Sequence, residues 1–139
     1  MTELFEGIPT SHEDRLLIEA YEQAGRTLDD LPYTPEFEAI FARVGNGRSR
    51  REVFHRLHNL RKAARLPRLG RAASGVPRID PEEEKLIADM VIQRVGSLGQ
   101  RDQLPYDSRI DDLAQQFNDR TGRTLTQHDI WRIIAKLAK

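Results

Sequence analysis

The tripeptide Leu31-Pro32-Tyr33 recurs as Leu104-Pro105-Tyr106, 73 residues further along the chain. The apolar positions behind it recur as well: Phe37 answers to Ile110, Ile40 to Leu113 and Val44 to Phe117. A later pair of segments, SRREVFHRLHNLRK and TQHDIWRIIAKLAK, aligns Ser49 with Thr126, Val53 with Ile130 and Phe54 with Trp131. In the same pair Leu57 and Leu60 match Ile134 and Leu137. The offset there is 77, so the second copy carries four extra residues, which we assign to its inter-helix loop, NDRTGRTL. Upstream, SHEDRLLIEAY parallels DPEEEKLIADM. Two copies of one unit account for these matches, so any fold of this chain is expected to have two similar halves.

Each unit reads as three helices. Ser11 caps the first helix, with Asp14 three residues on. Leu17, Ile18 and Tyr21 form its apolar stripe, and Gly25 stops it. In the second unit Asp80 is the N-cap, Pro81 opens the helix and three glutamates fill its first turn. Leu86, Ile87, Met90, Val91 and Val95 form the buried face there. The second helices begin after Leu-Pro-Tyr. Thr34 and Pro35 start one, with Phe37, Ile40, Phe41 and Val44 inward; Asp107 starts the other, with Ile110, Leu113, Ala114 and Phe117 inward. Third helices start at Ser49 and Thr126. The turn before Ser49 contains Gly45 and Gly47, both expected to supply positive φ. No alternating pattern suggests a strand. The expectation is an all-α chain: a three-helix unit over 1–66, a Pro/Gly linker over 67–79 and a second three-helix unit over 80–139.

The formal net charge of the 139 residues is zero, but it is unevenly placed. Met1 to Ala42 is net −8, Arg43 to Arg78 net +10 and Ile79 to Lys139 net −2. A basic middle third between acidic flanks points to a polyanionic partner. There is no cysteine, which excludes disulfides and thiolate chemistry. The first fifteen residues are acidic and lack the apolar stretch of a signal peptide, and no run approaches 18 apolar residues. A cytoplasmic protein, associated with the nucleoid if it binds DNA, is the expectation, with no membrane contact.

On a helical wheel, Val53, Phe54, Leu57, Leu60 and Ala64 share one side of the third helix of the first unit. The opposite side carries Arg51, His55, His58, Asn59 and Lys62, flanked by Arg50, Arg56, Arg61 and Arg65. Arg reads guanine and Asn reads adenine through paired hydrogen bonds, and flanking arginines reach phosphates. A three-helix unit with a basic third helix resembles the helix-turn-helix class, and more loosely its homeodomain-like and Myb-like members. The resemblance covers about residues 11–66, with a weaker echo over 80–139, and concerns architecture. The regularly spaced tryptophans of Myb repeats are missing, since Trp131 is the only one, and the homeodomain signature WFxN is absent. It implies that the third helix enters the major groove of duplex DNA. The linker LPRLGRAASGVPR adds Arg68, Arg71 and Arg78 as an arm along the phosphates, and Arg48 precedes the helix. Six to eight such phosphate contacts give a log–log salt slope of roughly −5 to −7.

Three other readings compete. Glu13, Asp14, Glu19 and Glu22 could pair with the arginines internally, though exposed pairs contribute only about 0–1 kcal/mol each. The basic face could dock an acidic protein, making the chain a helical interaction adaptor. RNA is a weaker candidate than DNA, because no aromatic stacking platform is visible. The third helix of the second unit, with Gln127, His128, Arg132, Lys136 and Lys139 in front, is far less basic. It either makes an auxiliary contact or is a structural copy; we favour the copy, whose wide apolar face, including Ile133 and Ile134, packs on the first unit or on another chain, a second copy included. His55 and His58 stand three apart, as metal ligands can, but their sequence neighbours are cations and no carboxylate is near. No phosphate loop, dinucleotide fingerprint or nucleophile elbow is present, so neither an enzyme nor a cofactor is expected. Tyr33 and Tyr106 are expected to pack in the core beside the second helices.

Overall fold

The computed structural model describes residues 11–70 and 75–139. Its six α-helices are α1 (His12–Ala24), α2 (Pro35–Val44), α3 (Arg50–Lys62), α4 (Pro81–Val95), α5 (Ser108–Thr121) and α6 (Gln127–Leu137). Short 3-10 turns, Leu28–Asp30 and Leu98–Gln103, precede Leu-Pro-Tyr in each half. The fold is all-α, and the described residues contain no strand. None of their helices is long and apolar enough to cross a membrane.

Every α-helix begins on a side chain that accepts a backbone N–H of the first turn. Ser11, Thr34 and Asp107 do so for α1, α2 and α5. Ser49 with Glu52, Asp80 with Glu83, and Thr126 with Asp129 complete reciprocal capping boxes for α3, α4 and α6. Such caps satisfy N–H groups that the helix leaves without a partner, at about 1 kcal/mol each. Gly25 and Gly122 end α1 and α5 in the left-handed conformation, at φ 70° and 75°.

Three local expectations are corrected. The four extra residues of the second half lengthen α5, which has 14 residues where α2 has 10. The connections that follow, Gly45 to Ser49 and Gly122 to Thr126, are equally long, so the insertion adds a helical turn rather than loop. Gly45 has an ordinary helical φ of −62°, and Asn46 and Gly47 take the positive φ values instead. Ala64 lies outside α3 at φ 58° and is exposed, so the apolar back of α3 is Val53, Phe54, Leu57 and Leu60.

One cluster of buried side chains draws on both halves, with Phe37, Phe54, Ile110, Phe117 and Trp131 among its largest members. In the first half α1 packs on α2, and in the second α4 packs on α5 and α6. The third helices cross over. The backbone of α3 meets the Leu98–Gln103 turn, and α6 meets the Leu28–Asp30 turn. Trp131 of α6 meets Phe54 of α3 edge-on at 5.7 Å, and its indole N–H donates to the Asp29 carbonyl at 2.9 Å. Pairing a buried indole N–H with an acceptor avoids the cost of an unsatisfied donor.

The contacts across the halves are reciprocal. Tyr33 N–H donates to Tyr106 Oη at 2.5 Å, and Tyr106 N–H donates to Tyr33 Oη at 2.7 Å. Both tyrosines have positive φ, 65° and 63°. That conformation is strained for a residue with a Cβ, and two hydrogen bonds plus ring contact offset the strain. The rings lie 4.5 Å apart, and Tyr106 stacks on Phe37 at 4.7 Å. The tyrosines are half-buried between the halves, and the second helix that Tyr106 packs beside belongs to the other half. Burial pushes the Tyr33 hydroxyl up to about 12 and raises that of Tyr106 as well. One step outward, Arg51 Nη1 donates to the Pro105 carbonyl at 3.0 Å and His128 Nδ1 meets the Pro32 carbonyl at 2.8 Å.

Residues 63–79 join the halves. Leu66, Leu69, Val76 and Ile79 of this connection pack against the core, so it is pinned along much of its described length.

Candidate nucleic-acid interface

The sequence places its cations on the front of α3 and in the connection that follows. The structure sorts them into three groups. The first is paired with carboxylates of the same half. Arg48 Nη1 binds Glu13 at 2.6 Å, and Arg50 forms a forked pair with Glu38 while lying 4.5 Å over the Phe41 ring. Arg56 binds Glu13 at 3.2 Å and also Asp14, and Arg61 binds Asp29 at 3.0 Å. Arg43, outside the expected set, binds Glu19 and Gln23. These pairs lower the ionisation of Glu13 and Glu38 below the ordinary carboxylate range, chiefly through hydrogen bonds from Arg48 and Arg50. Among the described residues Glu22, the fourth expected partner, has no ion pair with these arginines.

The second group is spent on the contact between halves. Arg51 is half-buried with its guanidinium on Pro105, where burial depresses its ionisation. His58 is only 4% exposed, and burial pushes its imidazole down to about 4, more strongly than the nearby Asp102 raises it. Asp102 is buried and comes from the Leu98–Gln103 turn. It stands 3.5 Å from His55 Nδ1 and 3.8 Å from His58 Nε2. Sequence proximity could not show that carboxylate beside the two histidines. Among the described residues no cluster of ligating side chains suited to a metal ion is found.

The third group faces solvent. Asn59 and Lys62 are exposed, three residues apart on the front of α3, and Arg68 and Arg78 are exposed in the connection. Lys62, Arg68 and Arg78 have no carboxylate within ion-pair distance among the described residues. His55 is exposed beside Asn59, with their side-chain nitrogens 3.2 Å apart. Arg65 is half-buried. Arg71 lies outside the described residues.

Five carboxylates beyond the basic segment (Glu13, Asp14, Glu19, Asp29 and Glu38) therefore answer about half of its net +10. Of the remaining cations, Arg51 lies in the first turn of α3 against Pro105, and Lys62, Arg68 and Arg78 are exposed at the end of α3 and after it. No family model matches the chain, and no curated protein or solved structure matches it.

Residue type alone does not mark Asp29 and Asp102 among the many carboxylates of the chain. Both precede Leu-Pro-Tyr, and they are 73 residues apart, the same offset as the tripeptide. That register was the available signal. Each residue meets groups of the other half: the Asp102 carboxylate meets His55 and His58 of α3, the Asp29 carboxylate meets Lys139 beyond the end of α6, and the Asp29 carbonyl accepts from Trp131 and Arg132 of α6.

Proposed function

We propose that the chain binds duplex DNA through the exposed, unanswered cations at the C-terminal half of α3 and in the connection to α4. The observation that carries this reading is the residual positive charge of the 43–78 segment after internal pairing, concentrated at Lys62, Arg68 and Arg78. Binding of this kind grips phosphates and reads few bases. Burial of His58 and the engagement of Arg51 with Pro105 support an architectural rather than a base-reading mode, because only His55, Asn59 and Lys62 of the front remain exposed.

The reciprocal contacts at Tyr33 and Tyr106, with the matched caps, support two copies of one helix-turn-helix-like unit. In the second copy α6 buries Ile130 through Ala135, which supports a structural role for it. Arg48, Arg50 and Arg56 remain secondary contacts. Opening an exposed ion pair costs only about 0–1 kcal/mol, but each opened pair leaves a carboxylate to repel the phosphate.

The test is fluorescence anisotropy with random-sequence duplex across a salt series. With three to five phosphates contacted, the log–log slope is expected at roughly −3 to −5. The Asn59→Ala/Lys62→Ala/Arg78→Ala variant should flatten that slope by about 2, with little dependence on duplex sequence. No binding at low salt, or an unchanged slope in the variant, refutes the reading.

A further inference from the structure

A groove of about 850 Å³ lies where α3, α6, the Leu28–Asp30 turn and the connection meet. Its apolar wall includes Tyr21, Leu28, Leu66 and Leu69. Arg61, Arg68, Arg132 and Lys139 supply the charge around it. The carboxylate of Asp29 holds two of these cations, from opposite halves of the chain. Arg61 Nη1 is 3.0 Å from Oδ1, and Lys139 Nζ is 3.4 Å from Oδ2. Arg132 Nη1 donates to the Asp29 carbonyl at 3.3 Å, and its Nε lies 3.5 Å from the buried Asp30. Among the lining residues one carboxylate, Asp29, faces four cations, so the groove carries a net positive charge. A phosphate monoester, which carries about −1.5 to −2 at neutral pH, suits that excess.

We infer that this groove binds the phosphate of a nucleotide, with the base or sugar against the apolar wall. Its size falls in the range of small-ligand pockets, and its mix of apolar wall and convergent cations fits a ligand with a flat body and an anionic head. Arg61 has guanidinium N–H groups beyond those on Asp29, and an ammonium has three donors, so the pair with Asp29 positions both side chains without exhausting them. The exposed Arg68 closes the set. The nucleotide can be free or the phosphorylated end of a strand; the recognition chemistry is the same.

Trp131 is the only tryptophan, and its indole N–H sits on the carbonyl of Asp29. Its indole signal in a ¹H–¹⁵N spectrum therefore reports on the groove. The probes are AMP, adenosine, inorganic phosphate and a 5′-phosphorylated single-stranded oligonucleotide, each titrated into the whole chain and into Arg68→Ala/Lys139→Ala. Both substituted side chains are exposed, so the variant keeps its fold. We expect saturable one-to-one binding of AMP or of the phosphorylated strand, with a shift of the Trp131 signal. Competition by inorganic phosphate, at least about tenfold weaker adenosine binding and an affinity loss of about tenfold in the variant complete the expectation. Tighter binding of AMP assigns a free nucleotide as the source, and tighter binding of the strand assigns its end. No saturable shift up to about 10 mM of either probe, or equal affinity in the variant, overturns the inference. The duplex test uses Asn59, Lys62 and Arg78, none of which lines the groove, so either idea can fail alone.

Discussion

His58 shows how one residue changes meaning between sequence and fold. On a helical wheel it belongs to a polar front aimed at a partner. In the folded chain it is buried against Asp102, near Arg61, Lys62 and Arg101, and burial keeps it neutral down to about pH 4. The unfolded chain takes up that proton near the ordinary 6.5. Between these values the unfolded state binds more protons, so stability falls as pH falls from 6.5 to 4 and is unaffected by this group above 6.5. The full loss is about 3 kcal/mol. Thermal unfolding followed by circular dichroism across that window should show the fall, and His58→Gln should remove most of it. An unchanged slope in the variant would assign the acid sensitivity to other groups. Tyr33 and Tyr106 teach the same lesson: they hold a left-handed backbone that their side chains disfavour, and each offsets it by hydrogen-bonding to the other half.

At the scale of the element, caps and apolar spacing are decisive because they act within a turn or two of helix. The four N-caps read from sequence, Ser11, Thr34, Asp80 and Asp107, stand where expected, and Ser49 and Thr126, read as the starts of the third helices, are their N-caps. Gly45 is a case that sequence reading attributes to the wrong cause. Its φ suits any residue, but a Cβ there would lie 2.5 Å from the Phe41 carbonyl oxygen, itself the acceptor of the Gly45 N–H. Gly45→Ala should therefore displace the end of α2 and destabilise the chain by about 1–3 kcal/mol in urea unfolding. A change within about 0.5 kcal/mol would show that the α2 terminus yields freely. The extra turn of α5 has a related origin: an insertion between two caps can lengthen either the helix or the loop, and the cap at Gly122 decides for the helix.

For the whole molecule, the core that spans both halves predicts one unfolding transition. Trp131 of the second half touches Phe54 of the first, while circular dichroism reports all helices. The urea midpoints from Trp131 fluorescence and from circular dichroism should coincide. Two separated midpoints would mean that the halves unfold independently. The distribution of charge is also a property of the whole molecule. Acidic residues of α1, α2 and the Leu28–Asp30 turn answer the arginines of α3, so the field that a partner meets is weaker and lies further along the chain than a helical wheel suggests.

The all-α class, the helix starts, most of the apolar faces and the basic middle third can be read from the residues alone. Each of these depends on spacing and composition within a few residues, where the physics is local. Which cations stay exposed is set by packing, because it depends on carboxylates 12 to 43 residues away and on the Leu-Pro-Tyr turn of the other half. Packing also brings His55 and His58 of α3 to Asp102, and Lys139, just beyond α6, to Asp29. The 73-residue register of the two aspartates was visible, but contact between the halves is a long-range packing outcome, set by which apolar faces bury each other once the helices have formed.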